Sequence, residues 1–153
     1  MDAALADPFI KAFFEVLPQL GFQKVERGKL RVQPNLTSSM EVTALVGLSQ
    51  KLRGNIAYAM SHETACKFAS IMMMGMPIAE MDEMAQSAIS EASNMLTANA
   101  AITLEAQGMG VNISPPTLVV GQKVRVRISQ VQSLVVEFLT DAGTIEVIIG
   151  IEA

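Results

Sequence analysis

A glutamate and an asparagine three positions apart, Glu91 and Asn94, are the residues whose types and spacing could support chemistry. On a helix, side chains at this spacing are neighbours, with Cβ atoms roughly 5–6 Å apart. Ser87 lies one turn earlier on the same face, which completes the pattern Ser-x3-Glu-x2-Asn. An asparagine amide cannot remove a proton at neutral pH, but its N–H groups and carbonyl oxygen can hold a water molecule in a fixed direction.

Such a pair suits the hydrolysis of an already activated phosphoryl group, for example an aspartyl phosphate. Positioning and charge stabilisation supply most of the effect in phosphoryl transfer, and a side-chain amide that orients water is a known solution. The carboxylate of Glu91 could pair with a cation on a partner and so fix the docking register. The metal ion would then belong to the partner, because the sequence has one histidine, no metal-ligand cluster and no Gly-rich phosphate loop. Spacing alone leaves an ordinary solvated helix face open, since Glu-x-x-Asn also arises by chance.

The helix that carries these residues is predicted to run from about 80 to 107 and to be the longest in the chain. At 3.6 residues per turn its apolar side chains collect on one face. These predicted core residues are Met81, Ala85, Ala88, Ile89, Ala92 and Leu96. The other face carries short side chains beside the polar pair, which would let another surface approach closely. We therefore predict Ser87 and Ala98 as partner contacts, with a local cap, or no role, as the alternatives for Ser87.

The surrounding elements predict an α+β fold, in which helices pack on a largely antiparallel sheet within a single domain, residues 1–153. Helices are expected at 7–20, closed by Pro18 and Gly21, and from an N-cap at Ser61 to about Met74. Strands are expected over 24–60 and again from 111 to the end, in alternating patterns with hairpin turns at 50–54 and 141–143.

The last predicted strand, 144–151, is apolar on both sides for part of its length. Two explanations fit that pattern. The strand is central in the sheet, or its edge is covered by a partner chain.

Composition argues against several classes of function. The chain has 153 residues, a net charge of −4 and few aromatic residues, which disfavours nucleic-acid binding. Its densest basic group, Lys123, Arg125 and Arg127, alternates with valine and so predicts the solvated face of a strand. The N-terminus lacks signal-peptide character, no apolar run is long enough to span a membrane, and a cytoplasmic location is expected.

The only cysteine, Cys66, lies four residues after the only histidine, His62. This spacing could bring a thiol and an imidazole together on a helix, as a nucleophilic dyad requires. The apolar pattern around Cys66 instead predicts a buried structural residue.

Beyond the pair itself, three long stretches resemble the CheX branch of the CheC/CheX family of chemotaxis phosphatases. The stretches are VGLSQKLRGNIAYAMSHETACKFASIMMMGMP, EMDEMAQSAISEASNMLTANA and ISPPTLVVG. The family pattern has a Ser or Asp, a Glu after three intervening residues, an Asn after two more, and a proline about twenty positions later. Ser87, Glu91, Asn94 and Pro116 match that pattern here, and Ser93 replaces the common glycine before the asparagine.

The resemblance implies docking on a phosphorylated CheY-type receiver domain that supplies Mg²⁺, with no cofactor bound by this chain. It assigns Asn94 to orienting the attacking water and Glu91 to pairing with a receiver lysine. The CheC branch has a second Glu-x-x-Asn on the first helix, whereas this chain has Glu15-Val16-Leu17-Pro18, which implies one site per chain. A homodimer through sheet edges is also implied.

Two other functions remain open from the sequence. A relative could dock on a receiver or a flagellar-switch protein as a binding module without hydrolysis. A small-molecule enzyme or sensor could instead use a cavity lined by the methionines between 72 and 84, although gap-filling in the core is the commoner role of methionine.

Overall fold

In the computed structural model, the described residues 3–122 and 125–152 form a layer of helices on one face of a large antiparallel sheet. After a short 3₁₀ helix at Ala3–Leu5, the helices are α1 (Asp7–Leu20), α2 (His62–Met72) and α3 (Glu83–Ala106). The strands are β1 (Val25–Gln33), β2 (Leu36–Ser38), β3 (Val42–Gln50), β4 (Arg53–Met60), β5 (Val111–Ile113), β6 (Thr117–Val120), β7 (Val126–Ser129), β8 (Ser133–Thr140) and β9 (Gly143–Glu152). The predicted α+β class is confirmed.

The helix ends follow local backbone chemistry and correct two predicted ends. α1 has the predicted bounds, runs through Pro18 and is capped by Gly21, which takes the left-handed conformation with φ 113°. α2 begins as predicted, because the Ser61 side chain accepts a hydrogen bond from the Thr64 N–H at 3.1 Å, but it stops at Met72. α3 begins at Glu83 instead of 80, because the carboxylate of Asp82 caps it by accepting from the Ala85 N–H at 2.9 Å.

The large sheet has the strand order β1-β8-β9-β4-β3-β5, and β6 also pairs with β3. β9 therefore lies in the middle of the sheet between β8 and β4, and the central explanation of its apolar pattern is the one that holds. Its residues Val147 and Ile149 face the main core under the helices, whereas Ile148 faces a second, smaller core.

The second core lies on the sheet face opposite the helices. A two-stranded ribbon of β2 and β7 packs there, with Leu36 and Ile128 against Ala57 and Val135 of the sheet. The predicted basic strand is shorter than expected: Arg125 and Arg127 are exposed, as predicted, and Lys123 lies outside the described residues.

Aromatic contacts fix the first helix over the centre of the sheet. The ring of Phe13 stacks on Phe138 of β8, with ring centroids 4.0 Å apart and planes 3° from parallel. The same ring lies 5.9 Å from Tyr58 of β4. Because α1 also packs along α3, the sheet, α1 and α3 share one core.

Among the described residues, no helix combines the length and apolar character that crossing a bilayer demands.

Candidate functional site

Helix α3 has a fully buried face and an exposed one. The six predicted core residues of this helix region are all buried, with at most 8% of any side chain exposed. The exposed face carries Glu91 and Asn94, both open to solvent and one helical turn apart. The amphipathic assignment made from the sequence is therefore confirmed.

Glu91 and Asn94 form one wall of an open groove of about 410 Å³. The opposite wall is the connection between β5 and β6, and the complete lining is Ser90, Glu91, Asn94, Ile113, Ser114, Pro115 and Pro116. The structure thus brings Pro116, 22 positions away from Asn94 in the chain, to the same site. The two prolines have no N–H groups, so the amide of Asn94 and the carboxylate of Glu91 provide polar groups beside a rigid, largely apolar rim.

Pro115 and Pro116 form the wall opposite α3, called the proline wall here. Two hydrogen bonds between Ser114 and Gly47 of β3, called the latch, fix this wall to the sheet. The Ser114 N–H donates to the Gly47 carbonyl at 2.9 Å, and the Gly47 N–H donates to the Ser114 Oγ at 2.8 Å. A Cβ at position 47 would lie only 3.3 Å from that Oγ, so a larger residue would push the serine away. The absence of a side chain at Gly47 therefore lets the wall approach α3.

Sequence reasoning missed Ser90, Ser114 and Gly47 as parts of the site. Gly47 did carry a signal, because a glycine interrupts a strand of larger residues where another backbone approaches closely. The latch itself joins positions 67 residues apart, which no local pattern indicates.

The predicted partner contacts lie on the same helix face but outside the groove. Ser87 is exposed one turn before Glu91, and Ala98 is half-buried one turn after Asn94. The side chains of Glu91 and Asn94 have no hydrogen-bond or ion-pair partner within the described residues. Both remain available to a molecule that docks on this face.

Asn99 and Thr103, on the same helix, do not face the groove. The Asn99 Nδ2 donates to the Glu15 Oε2 of α1 at 3.1 Å, and the Thr103 hydroxyl lies 3.5 Å from the Asn99 carbonyl. Asn99 thus bonds to the neighbouring helix α1, and Thr103 bonds within its own helix. The Asn99 Oδ1 is buried without a partner.

The Cys66–His62 pair is close but poorly suited to nucleophilic catalysis. The Cys66 Sγ lies 3.9 Å from both ring nitrogens of His62, and the His62 Nε2 lies 3.5 Å from Glu80 Oε2. Burial raises the pKa of the Cys66 thiol, and the negative charges of Glu80 and Asp82 raise it further. Because the thiolate is the nucleophile, this environment favours the inert form.

The depression beside the methionines offers no catalytic set. Within the described residues, no group of three or more His, Cys, Asp or Glu side chains is placed to hold a metal ion. The predicted methionine-lined cavity is a surface depression of about 650 Å³ that includes Met72 and Met74. Its described lining has no titratable side chain, and Met74 itself is 98% exposed.

The fold is shared with chemotaxis proteins of known structure. The chain aligns with the chemotaxis protein CheX from Desulfovibrio desulfuricans with a TM-score of 0.87 and 22% sequence identity, covering 97% of this chain and 99% of that one. It aligns with the CheX–CheY–BeF3–Mg²⁺ complex from Borrelia burgdorferi with a TM-score of 0.82 and 28% identity, covering 96% and 97% of the two chains.

Sequence comparison makes the assignment more specific. The model of the family described as chemotaxis phosphatase CheX matches residues 42–139. The CheY-P phosphatase CheX of Thermotoga maritima is 32% identical over 127 residues, which cover 83% of this chain and 82% of that protein. The chain belongs to the CheX family.

Proposed function

We propose that this chain, acting as one phosphatase domain over residues 1–153, hydrolyses the aspartyl phosphate of a CheY-type receiver domain in the cytoplasm. Asn94 orients the attacking water, and Glu91 pairs with a lysine of the receiver. The observation that carries the proposal is the placement of Glu91, Asn94 and Pro116 at one groove, with both polar side chains unpaired among the described residues.

The chemistry divides between the two proteins. A neutral amide donates and accepts hydrogen bonds without taking the proton, so Asn94 contributes direction to the water and not basicity. The receiver brings the phosphoryl group and its Mg²⁺, which neutralises charge that develops on the phosphoryl oxygens. This division is supported by the CheX relative whose complex with CheY contains Mg²⁺ and BeF3, a tetrahedral mimic of a phosphoryl group.

The exposed face of α3 is suited to the docking step. Ser87 and Ala98 flank the polar pair with short side chains, so a receiver surface can approach the helix backbone closely. Glu91 adds a directional charge pair, which fixes register more than it adds affinity. The proline wall adds a rigid, apolar surface beside the polar pair, because prolines have a fixed ring and no N–H donor.

The decisive experiment measures decay of a receiver phosphorylated by a small phosphodonor, with Mg²⁺ present. Wild type should accelerate the decay, and Asn94→Ala should lose about a hundredfold of the rate, as expected for removing a group that positions a reactant. Affinity of Asn94→Ala for the BeF3-activated receiver should stay within about threefold, because Glu91 still makes the docking pair. Asn99→Ala is the matched control, since it removes an asparagine from the other side of the same helix.

Two outcomes would contradict the proposal in different ways. Tight binding of wild type to the activated receiver without faster decay would identify a binding module that docks on receivers or flagellar-switch proteins. A full loss of rate in Asn99→Ala, with Asn94→Ala unaffected, would place the chemistry elsewhere on α3.

We also propose a homodimer that forms through a sheet edge. β1 is an edge strand of nine residues, and its Leu30 and Val32 are 43% and 60% exposed. A long edge with exposed apolar side chains is a template for pairing with another strand. Light scattering should show a dimer for wild type and a monomer for Val32→Lys, and a monomeric wild type would refute this arrangement.

A further inference from the structure

A side-chain hydrogen bond joins the centre of the sheet to the buried face of α3. The hydroxyl of Tyr58, on β4, lies 2.8 Å from the Oγ1 of Thr97, and both residues are buried. Polar groups in an apolar core cost free energy unless they are hydrogen-bonded. Apolar side chains of similar size would avoid that cost, so stabilisation of the core does not by itself explain why two hydroxyl groups are buried here.

The direction of the hydrogen bonds follows from counting protons. The Thr97 hydroxyl has one hydrogen, and it donates that hydrogen to the Ser93 carbonyl at 2.8 Å. Tyr58 is therefore the donor to Thr97, and burial raises the pKa of Tyr58, which keeps its proton in place. The result is a relay from the tyrosine hydroxyl through the threonine hydroxyl to a backbone carbonyl of α3.

The relay ends at the peptide group that joins Ser93 to the candidate catalytic residue Asn94. The carbonyl of Ser93 and the N–H of Asn94 belong to the same planar peptide group. The Ser93 hydroxyl in turn donates to the Ile89 carbonyl at 2.8 Å. The hydroxyls of Ser93 and Thr97 thus each bond to the carbonyl four residues earlier, on the buried side of residues 89–97. Such bonds often bend helices.

Apolar packing holds this helix through few large side chains, namely Ile89, Leu96 and Leu104. Much of the remaining buried face consists of small side chains, namely Ala85, Ala88, Ala92, Ser93 and Ala100. Small side chains form low ridges, and low ridges interlock poorly with a facing surface. A hydrogen bond is directional and weakens steeply with angle, so the relay supplies the constraint that alanines do not.

We propose that Tyr58 and Thr97 are positioning residues that fix the rotation of α3 and so aim Asn94 and Glu91 at the groove. The inference rests on the proposed function for its catalytic consequence. Functional groups must be held within about 0.5 Å or 10–20° of the productive geometry. A helix free to rotate by that amount would still dock a receiver but would hold the water less often in line.

The kinetic test uses Tyr58→Phe and Thr97→Val, which remove the hydrogen bond and keep most of the side-chain volume. At saturating phosphorylated receiver, kcat should fall about tenfold while KM changes less than twofold. The double variant should be no slower than the slower single variant, because both changes break the same relay. Thr97→Ser retains a hydroxyl and should keep the wild-type kcat.

A merely structural pair would behave differently. Ile145→Val shortens a buried side chain of β9 and leaves the relay intact, so it should lower Tm without changing kcat. If Tyr58→Phe likewise lowers Tm and leaves kcat unchanged at a temperature where the chain is folded, the positioning role is overturned.

A second measurement is independent of activity. Hydrogen exchange of the backbone amides of residues 94–98 should be about tenfold faster in Tyr58→Phe. Exchange of residues 85–89 should not change, because the relay bonds to α3 only at Ser93 and Thr97. Unchanged exchange at 94–98 would overturn the inference even in an active enzyme. If wild type accelerates no receiver's decay, the proposed function fails, and the exchange pattern still decides whether the relay holds α3.

Discussion

Helices α1 and α3 pack side by side, and each presents a glutamate on its surface, yet only one of the two carboxylates is available to a partner. Glu15 of α1 lies 3.4 Å from Lys11 and accepts a hydrogen bond from Asn99 at 3.1 Å. Three positions later α1 has Pro18, inside its last turn. Glu91 of α3 has no such partners among the described residues, and an asparagine follows it at the same spacing.

The comparison shows that the surroundings of a helix carboxylate decide whether it is available to a partner. Glu15 holds two helices together, so pairing it with an outside cation would first break internal bonds. Glu91 faces a groove whose far wall, Pro115 and Pro116, is fixed to β3. The same residue type therefore stabilises the fold on α1 and is free for recognition on α3.

The largest expected effect comes from reversing each charge in turn. In the proposed complex, Glu91→Lys places a cation opposite the receiver lysine, and like charges at an interface cost several kcal/mol, so affinity should fall by about a hundredfold or more. Glu15→Lys is the matched control and should leave affinity within about threefold, because Glu15 lies outside the docking face. Binding of each variant to a BeF3-activated receiver can be measured by titration calorimetry. Equal losses in the two variants would show that the docking surface includes α1.

A smaller effect is expected from filling the space beside Asn94. Ala98→Leu adds a branched side chain where the receiver must approach, which should weaken binding about tenfold, as misfits at packed interfaces do. Ala106→Leu is the control at the exposed end of the same helix. Surface plasmon resonance with immobilised receiver would compare the two dissociation constants. Unchanged binding by Ala98→Leu would remove Ala98 from the predicted contact surface.

Tyr58 contacts both helices, through Phe13 on α1 and Thr97 on α3, and its burial predicts a pH effect. Burial raises the pKa of Tyr58 above its usual value near 10, so the native state keeps a proton that the unfolded state loses. The contribution of Tyr58 to the free energy of unfolding is fully present below pH 10. Above pH 10 this contribution falls by about 1.4 kcal/mol per pH unit.

Urea unfolding at pH 8, 10 and 11 would measure that slope, with Tyr58→Phe as the control that lacks it. Because Tyr58 is the only tyrosine, absorbance of tyrosinate at 295 nm reports its ionisation directly. Folded protein should show none at pH 11. Parallel pH profiles for wild type and Tyr58→Phe would mean that the buried hydroxyl has no part in alkaline stability.

The smallest expected effect tests whether the asparagine alone makes a site. Pro18→Asn creates Glu15-x-x-Asn on α1, and the dephosphorylation rate should stay within about twofold of wild type. Glu15 remains engaged by Lys11 and Asn99, so the new amide has no available carboxylate beside it. An increase in rate that survives in the Asn94→Ala background would show that the Glu-x-x-Asn pattern suffices without the groove.

The sequence predicted the elements of the helix layer more accurately than their ends. The apolar period placed α3 and its buried face correctly, but it set the start at 80, and the Asp82 cap moves that start to Glu83. The predicted bounds of α1 hold, but Pro18 lies inside the helix, and Gly21 alone turns the chain. Periodicity reports which side of a helix is buried, and capping chemistry at single residues decides where the helix stops.

What the sequence determined by itself is therefore local: the α+β class, the amphipathic face of α3, and the Glu91–Asn94 pair at helical spacing. Tertiary structure alone decided that β9 is central, that Gly47 and Ser114 latch the proline wall, and that Tyr58 bonds to Thr97. Gly47 and Ser114 are 67 positions apart in the chain, and Tyr58 and Thr97 are 39 positions apart. The formation of these contacts depends on how sheet and helices pack as a whole, which residue spacing along the chain does not specify.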